Sequence, residues 1–512
     1  MNRLRRVSLL AGLLALGCGE ESATTPSAPG SGGTSAAAGT SSVGGGRAAS
    51  GGGGMQGGTG ASAGAAPLFG GASGAAPAGS AGQSGTGGGT SGTGGSSSGS
   101  GSGGAAAGAG GSGAGSGGVS SGGGGASAGS AGMVQAGGHA GGGMPVLDDD
   151  SLAVRFADAV MARAPEPLDI TTGATFEYNH GIVLRGIEQV YRYTKQAKYL
   201  DYIRRYVDHF VSNTGDIGIA AGYSLDNIQP AVLLPFLFAE TGEQKYETAA
   251  DQVRALYDAF PKNADGGFWH KQTYPNQMWL DSIYMGEPFL AEYGAVVGTC
   301  GSFCADTVVL QSSLIARHVQ NATTGLLEHA WDASSGSKAS WADPTTGVSP
   351  EVWGRALGWY VMSLVDNLPL LPDGTNGKAE LVTVLGKALD GLAKAQDPDT
   401  GLWYQVVDKG DRPDDWLETS GSGMFVYAIA AGVRRGLVDP SLSAVATKGY
   451  SGLKTKVTFD GQGRPSITGA VHGMGVQNDY AGYLNQMPLL TDSPHGLCAV
   501  LLAASEMDAH AP

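Results

Sequence analysis

The stretch Gly266–Tyr293, GGFWHKQTYPNQMWLDSIYMGEPFLAEY, combines an aromatic loop with the start of an apolar helix. Apolar residues in its second half recur at spacings of three and four, which predicts a helix over about 280–294. Asp281 falls in the first turn of that helix, directly after a loop that contains His270 and Trp279. An aspartate in a first turn is often a cap that also suits the helix dipole. The adjacent histidine and tryptophan favour a catalytic carboxylate instead.

The chain beyond residue 150 alternates amphipathic segments with breaks rich in Gly, Pro, Asp and Asn. The apolar spacing predicts twelve helices in six successive pairs, with short strands only near 403–407 and 456–459. This pattern indicates an all-α fold, an (α/α)6 toroid whose loops at one rim build the site. Three long loops, about 261–279, 321–351 and 456–493, together supply Trp, His and Asp residues and are therefore interpreted as functional. The helices are expected at about 150–164, 179–195, 197–213, 226–241, 243–260, 280–294, 305–320, 352–368, 377–396, 418–435, 440–455 and 494–507.

The N terminus has the features of an export signal. Three arginines precede an apolar run that ends at Leu16 and is too short to cross a bilayer as a helix. Residues 15–18 resemble a bacterial lipoprotein box, which predicts a lipoprotein-type signal peptide over 1–18 and lipidation of Cys18. Ordinary cleavage near Cys18 is the alternative. Gly19 is not the Asp that commonly retains lipoproteins in the inner membrane, so we expect the outer membrane or cell surface, with membrane contact only through the lipid anchor.

Residues 19–146 are predicted to be a disordered linker rich in Gly, Ser and Ala. More than half of the chain's 89 glycines precede Pro145. Such a segment cannot bury enough apolar surface to offset its ordering entropy. Residues 147–512 are the predicted catalytic domain. The formal net charge of the whole chain is −15, which disfavours a nucleic-acid partner.

The cysteines predict structure rather than chemistry. Cys300 and Cys304 are expected to form a local disulfide, as is common in exported proteins. A metal site is disfavoured because neither His nor a further Cys lies nearby in the sequence. Cys498 lies within an apolar helix and is expected to be a buried thiol. We expect no metal and no cofactor.

A second carboxylate, Asp226, opens the predicted fourth helix in the segment SLDNIQP. In a toroid it is expected to face Asp281 across the ring, and paired carboxylates are typical of acid–base chemistry on sugars. Tyr178 opens the second helix and either caps it or faces the central cavity.

Arg355 lies between Trp353 and Trp359 in the segment EVWGRALGWY. Indole faces stack on sugar rings and a guanidinium can bind a carboxylate through two hydrogen bonds, so this segment predicts a uronate-binding site. The alternative is a structural arginine among core tryptophans.

Five segments together resemble glycoside hydrolase family 105, the unsaturated rhamnogalacturonyl hydrolases, over about residues 150–510. They are GGFWHKQTYPNQMWLDSIYMGEPFL, SLDNIQP, LLEHAWD, EVWGRALGWYVMSLVDNLP and LETSGSGMFVYAIAAGVRRG. The resemblance implies an (α/α)6 fold and removal of the 4,5-unsaturated galacturonyl residue that a polysaccharide lyase leaves at the non-reducing end. It further implies that the vinyl ether is hydrated rather than displaced at the anomeric carbon.

The resemblance also implies roles for individual residues. Asp281 would give a proton to C4 of the sugar, and Asp226 would position or activate the water that adds at C5. To donate at neutral pH, Asp281 should have a pKa raised by its apolar setting or by the other carboxylate. Phe176 stands where many relatives carry Trp, which is expected to alter the floor of the subsite. The implied substrate-binding residues are Tyr178, His270, Trp279, His329, Trp353, Arg355 and Trp359.

Two other functions remain open at this point. One is the related activity on unsaturated glucuronyl ends of glycosaminoglycans or other lyase products. The other is a non-catalytic carbohydrate-binding surface protein, which the presence of both Asp226 and Asp281 disfavours. The expected partner is an oligosaccharide with an unsaturated uronic acid end, bound by a monomer.

Overall fold

The computed structural model describes residues 146–219 and 222–510. The signal peptide, the lipidation site Cys18 and all but the last residue of the linker lie outside these residues and stay predictions.

The described residues form thirteen α-helices, of which twelve correspond to those expected from the apolar spacing. The thirteenth is a five-residue helix inside the long loop 456–493. The helices are α1 (Leu152–Arg163), α2 (Tyr178–Thr194), α3 (Ala197–Phe210), α4 (Leu233–Thr241), α5 (Gln244–Leu256), α6 (Leu280–Val296), α7 (Phe303–Val319), α8 (Gly354–Asn367), α9 (Lys378–Ala395), α10 (Thr419–Arg434), α11 (Ser443–Lys454), α12 (Tyr480–Leu484) and α13 (Pro494–Ala509).

Six of these helices close an inner ring. α4 packs on α6, α6 on α8, α8 on α10, α10 on α13 and α13 on α2, and α2 meets the 3-10 turn that precedes α4. The inner helices α6 and α13 are apolar around most of their circumference, as expected for helices enclosed by neighbours. Helices α1, α3, α5, α7, α9 and α11 pack against this ring from outside. The fold is an (α/α)6 toroid, as predicted.

The start of the fourth helix was predicted wrongly. Instead of a helix from residue 226, the chain makes two 3-10 turns, Leu225–Asn227 and Gln229–Val232, before α4 begins. Pro230 lacks an N–H group and disfavours α-conformation at the residue before it, which accounts for the interruption. Asp226 therefore lies in a 3-10 turn and not at an α-helical cap.

Short strands join the rim loops in the described part of the chain. β1 (Gln277–Trp279) pairs antiparallel with β2 (Ala330–Asp332), and β3 (Trp403–Tyr404) pairs with β4 (Leu417–Glu418). A three-stranded sheet contains β5 (Val457–Phe459), β6 (Pro465–Ala470) and β7 (Leu490–Thr491). β3 and β5 lie where strands were predicted. The β1–β2 register sets Trp279 opposite Ala330, which brings the residues after the one strand close to those before the other.

The cysteine predictions are confirmed. Cys300 and Cys304 form a disulfide, with their Cα atoms 5.9 Å apart, and Cys498 is a buried free thiol in α13. Among residues 146–219 and 222–510, no helix is both long and apolar enough to cross a membrane.

Candidate active site

The candidate site lies where the inner helices begin. Five inner helices each carry a site residue in the first turn, and the 3-10 turn Leu225–Asn227 adds Asp226. Helix N-termini carry partial positive charge, so this rim of the ring favours an anionic ligand. The first-turn residues are Tyr178 of α2, Asp281 of α6, Arg355 of α8, Ser420 of α10 and His495 of α13.

Asp281 is held by a buried histidine. Its Oδ2 atom lies 3.1 Å from His329 Nε2, and His329 Nδ1 lies 2.8 Å from the hydroxyl of Tyr483. The helix-capping contact is made by Ser282, whose Oγ accepts a hydrogen bond from the Trp279 backbone N–H at 3.2 Å. Asp281 is thus free of the capping role that its sequence position alone allowed.

The pKa of Asp281 was predicted in the wrong direction. Burial raises this pKa, but the hydrogen bond from His329 and the electrostatic interactions with His329, His270 and Arg355 outweigh burial, so the pKa lies below its ordinary value. The apolar surroundings are present, yet the cationic and hydrogen-bonding groups determine the sign. Asp281 is ionised at neutral pH in the unliganded site.

His270 interacts with both carboxylates. Its Nε2 atom is 3.7 Å from Asp226 Oδ1, and the charge of Asp281 also acts on its ring. Burial lowers the pKa of His270 to about 4, so the ring is neutral near neutral pH. Asp226 and Asp281 share one site, but they come from neighbouring elements of the ring rather than from opposite sides of it.

An ion pair and a stack of rings complete this side of the site. Lys271 Nζ lies 2.8 Å from Asp226 Oδ2. The Trp279 ring stacks on His270, at a centroid distance of 4.2 Å, and on Tyr274, at 5.0 Å. A cation, a carboxylate and aromatic faces are the groups that a uronate site requires.

Arg355 does not offer the open guanidinium fork that was predicted. Its side chain is 1% exposed, and its Nη1 atom donates to Val471 O at 2.7 Å and to Ser420 Oγ at 3.3 Å. Its Nη2 atom donates to the carbonyl oxygen of His472. The guanidinium therefore anchors the chain at 471–472, and its charge acts on the site from behind.

The tryptophans of α8 are walls rather than exposed platforms. Trp353 packs against His329 at a centroid distance of 4.7 Å and lies under the Arg355 guanidinium. Trp359 stacks on Tyr284 at 4.8 Å and lies 6.3 Å from His495. Because both indoles are covered by protein, they support the side chains that line the site.

On the α2 side, Tyr178 is partly exposed and lies 5.7 Å from the ring of His495. Burial and the charge of Asp226 raise the pKa of Tyr178, which therefore keeps its proton. Phe176 was expected at the floor of the subsite. Instead it packs on Tyr206 and Phe210 of the outer helix α3.

Lys271 and Tyr483 are among the residues of the site that were missed from the sequence. Lys271 follows His270 directly and could have been found from its charge beside an aromatic cluster. Tyr483 offered no such signal, because the five-residue helix α12 that carries it is too short to show an apolar period. Within the described ranges, no three His, Cys, Asp or Glu side chains are grouped as a metal site would require.

Comparisons with known proteins assign the chain to a family. The model of Glycosyl Hydrolase Family 88 matches residues 152–510. Protein Atu3128 of Agrobacterium fabrum is 33% identical over 234 residues, which cover 43% of this chain and 97% of that protein. The unsaturated rhamnogalacturonyl hydrolase YesR of Bacillus subtilis is 25% identical over 265 residues, which cover 50% of this chain and 70% of YesR.

Solved structures give the same result. A family 105 glycoside hydrolase of C. acetobutylicum ATCC 824 is 34% identical, with a TM-score of 0.65 over 70% of this chain and 99% of that one. A possible family 105 member from Klebsiella pneumoniae is 26% identical, with a TM-score of 0.57 over 65% and 83% of the two chains. The chain therefore belongs to Glycosyl Hydrolase Family 88 and is a hydrolase of the family 88 and family 105 group.

Proposed function

We propose that this protein removes the 4,5-unsaturated galacturonyl residue from the non-reducing end of lyase-generated rhamnogalacturonan oligosaccharides. The observation that carries the proposal is the pairing of Asp281 with His329 in the site that also holds Asp226. The preference for the pectic substrate is supported by the similarity to YesR and to the family 105 structures.

The substrate carboxylate finds a favourable electrostatic setting in this site. The ammonium of Lys271 and the first turns of the inner helices present positive charge toward the site. Arg355 adds a buried positive charge to the site but is not a direct ligand of the substrate. The Tyr274–Trp279–His270 stack offers a ring face to the sugar.

The reaction is a hydration. The C4=C5 double bond is conjugated with the ring oxygen, so a proton from the Asp281 carboxyl adds to C4 and the developing positive charge at C5 is shared with that oxygen. Water positioned by Asp226 adds at C5, and its proton passes to a site carboxylate. The hemiketal then opens and the remaining sugar leaves, so that one water molecule is consumed in the cleavage.

Asp281 must be protonated to start this sequence, although it is ionised in the empty site. Binding of the substrate raises the pKa of Asp281. Its carboxylate adds a negative charge near Asp281 and its ring displaces water, and both effects raise the pKa of a carboxyl group. Binding therefore prepares the donor.

The substrate class is tested with two lyase digests. Purified full-length protein is incubated with rhamnogalacturonan and with chondroitin, each cut beforehand by its lyase, and the ultraviolet absorbance of the unsaturated uronide is followed. We expect rapid loss of absorbance with the rhamnogalacturonan product and at least about tenfold slower loss with the chondroitin product. Faster turnover of the chondroitin product would reassign the substrate to glucuronyl ends.

We further propose that the protein is exported and anchored through a lipid on Cys18. The support is the basic and apolar start of the chain and the lipoprotein-like residues 15–18. Labelling of producing cells with a radioactive fatty acid tests this point. Label is expected on the wild-type chain and not on Cys18→Ala, and an unlabelled wild-type chain would contradict it.

A further inference from the structure

A segment of chain crosses the site and touches several of its walls. We call residues 471–486 the strap. Its first two carbonyl oxygens accept hydrogen bonds from Arg355. A Cβ placed on Gly475 would lie 3.4 Å from Trp279 Cη2, so the strap packs directly on that indole. Farther along, Asn478 Oδ1 accepts a hydrogen bond from Ser340 at 2.8 Å.

The strap ends in α12, which inserts Tyr483 behind His329. The Tyr483 side chain is fully buried. Its backbone oxygen accepts a hydrogen bond from Gln405 Nε2 at 3.0 Å, and Gln405 Oε1 accepts one from Trp353 Nε1 at 3.2 Å. Gln405 is itself buried. The Tyr483 hydroxyl is therefore fixed in place by its ring and by its backbone.

The Tyr483 hydroxyl accepts one hydrogen bond and donates another. The backbone N–H of Gln477 donates to Tyr483 Oη at 3.3 Å. Burial raises the pKa of Tyr483, so the hydroxyl keeps its proton and directs it to its neighbour His329 Nδ1. A neutral imidazole that accepts at Nδ1 carries its own proton on Nε2. That proton points to Asp281 Oδ2.

The opposite arrangement is unfavourable. With the His329 proton on Nδ1, the Nε2 lone pair would face the Asp281 carboxylate, and the Tyr483 proton would have to leave its 2.8 Å contact. The ionisable groups that act on this chain of hydrogen bonds are Asp281 and His270 around α6, Arg355 of α8, and Glu351 in the loop before α8.

We propose that Tyr483 is a positioning residue that fixes His329 in the Nε2–H tautomer and thereby orients the Asp281 carboxyl for proton transfer. The strap thus both covers the site and, through Tyr483, orients the Asp281 carboxyl. The effect on turnover rests on the proposed function, whereas the tautomer is a property of the protein alone.

The tautomer is measured first, by nitrogen-15 NMR of full-length protein labelled at histidine. The chain has nine histidines, and the His329 signals are assigned by their loss in His329→Gln. Wild-type protein is expected to show a neutral His329 ring with its proton on Nε2. A proton on Nδ1, or an imidazolium, at neutral pH would overturn the proposal without any variant of Tyr483.

Tyr483→Phe then removes the hydroxyl and keeps the ring. We expect the His329 signals to shift toward a mixture of tautomers. On the unsaturated uronide, we expect kcat to fall by about 10- to 100-fold while KM stays within about threefold, as for loss of oriented acid catalysis. The pH above which kcat decreases should also differ from that of the wild type. Unchanged tautomer and unchanged kcat in this variant would overturn the proposal.

Tyr480→Phe is the matched control. Tyr480 lies in the same helix, but its hydroxyl contacts Asp414 at 3.2 Å on the surface. It should leave both the His329 signals and kcat at wild-type values, and a loss equal to that of Tyr483→Phe would contradict a specific role. If the wild-type protein has the expected tautomer but turns over no unsaturated uronide, the proposed function fails and the tautomer assignment stands.

Discussion

The Nε2 atom of His329 lies 3.1 Å from Oδ2 of Asp281, although 48 positions separate the two residues in the chain. The β1–β2 pairing accounts for this proximity. The Leu280 N–H donates to His329 O at 3.0 Å and thereby connects the first residue of α6 to the loop that contains His329. The short β1–β2 sheet at the rim therefore places Asp281 beside His329 in the absence of substrate.

Replacement of Asp281 by Asn should remove the proton donor. We expect kcat on the unsaturated uronide to fall by at least about 100-fold, as for loss of a general acid, with little change in circular dichroism. Asp306→Asn is the matched control, because Asp306 occupies the first turn of the outer helix α7 and is exposed. Equal losses in the two variants would show that helix stability, and not proton transfer, explains the effect.

The low pKa of Asp281 in the empty site should separate two pH profiles. Since kcat/KM reports the free enzyme, it should fall by about tenfold per pH unit well above that pKa. Because substrate raises the pKa of Asp281, kcat should hold to higher pH. In His329→Gln, which lacks the hydrogen bond from the imidazole, the falling limb of kcat/KM should move to higher pH. Coincident limbs for kcat and kcat/KM in the wild type would refute substrate-induced protonation.

His270 should make the protein less stable in acid. Its folded-state pKa of about 4 lies below the ordinary histidine value of 6.5, so the unfolded chain binds the proton more readily. The resulting stabilisation is present above the unfolded-state pKa and is lost as the pH falls from 6.5 toward 4. Between pH 7 and pH 5 the loss is about 2 kcal/mol.

Denaturant unfolding at several pH values checks this expectation. His270→Gln should lose about 2 kcal/mol less stability than the wild type between pH 7 and pH 5. His209→Gln, at an exposed position of α3, should follow the wild type. Parallel curves for wild type and His270→Gln would indicate that His270 is not held neutral by burial.

Arg355→Lys should loosen the strap, because an ammonium cannot reproduce the divergent donors of a guanidinium. The contacts to Val471 and His472 are the ones at risk. We expect KM to rise by about tenfold or more and limited proteolysis to cut within residues 471–486. Arg317→Lys, in an exposed pair with Glu380, is the control and should change neither. An intact strap in Arg355→Lys would contradict the anchoring role.

The sequence predicted those parts of the structure that depend on local apolar spacing. The helix that carries Asp281 was placed correctly because its apolar residues repeat over several turns. The turn at Asp226 was not, because Pro230 interrupts a pattern that the apolar spacing alone continues. The loop aromatics around His270 were found because they cluster within one short stretch.

The parts that could not be predicted depend on contacts between distant segments. The guanidinium of Arg355 is occupied by the carbonyl oxygens of Val471 and His472, more than 100 positions away, and no local pattern announces such a partner. The pKa of Asp281 depends on a balance between burial and interactions with three neighbouring side chains, those of His329, His270 and Arg355. Composition identifies the apolar setting but does not give the sign of that balance.

The central claim is that the Asp281 carboxyl protonates the double bond and that the bond is consumed by hydration. The most direct measurement follows the ultraviolet absorbance of a lyase-generated rhamnogalacturonan oligosaccharide together with release of the shortened sugar, for wild type and Asp281→Asn. The account predicts that the wild type loses absorbance in step with sugar release and that Asp281→Asn does neither. Release of a uronic acid that keeps its double bond, or undiminished turnover by Asp281→Asn, would contradict it.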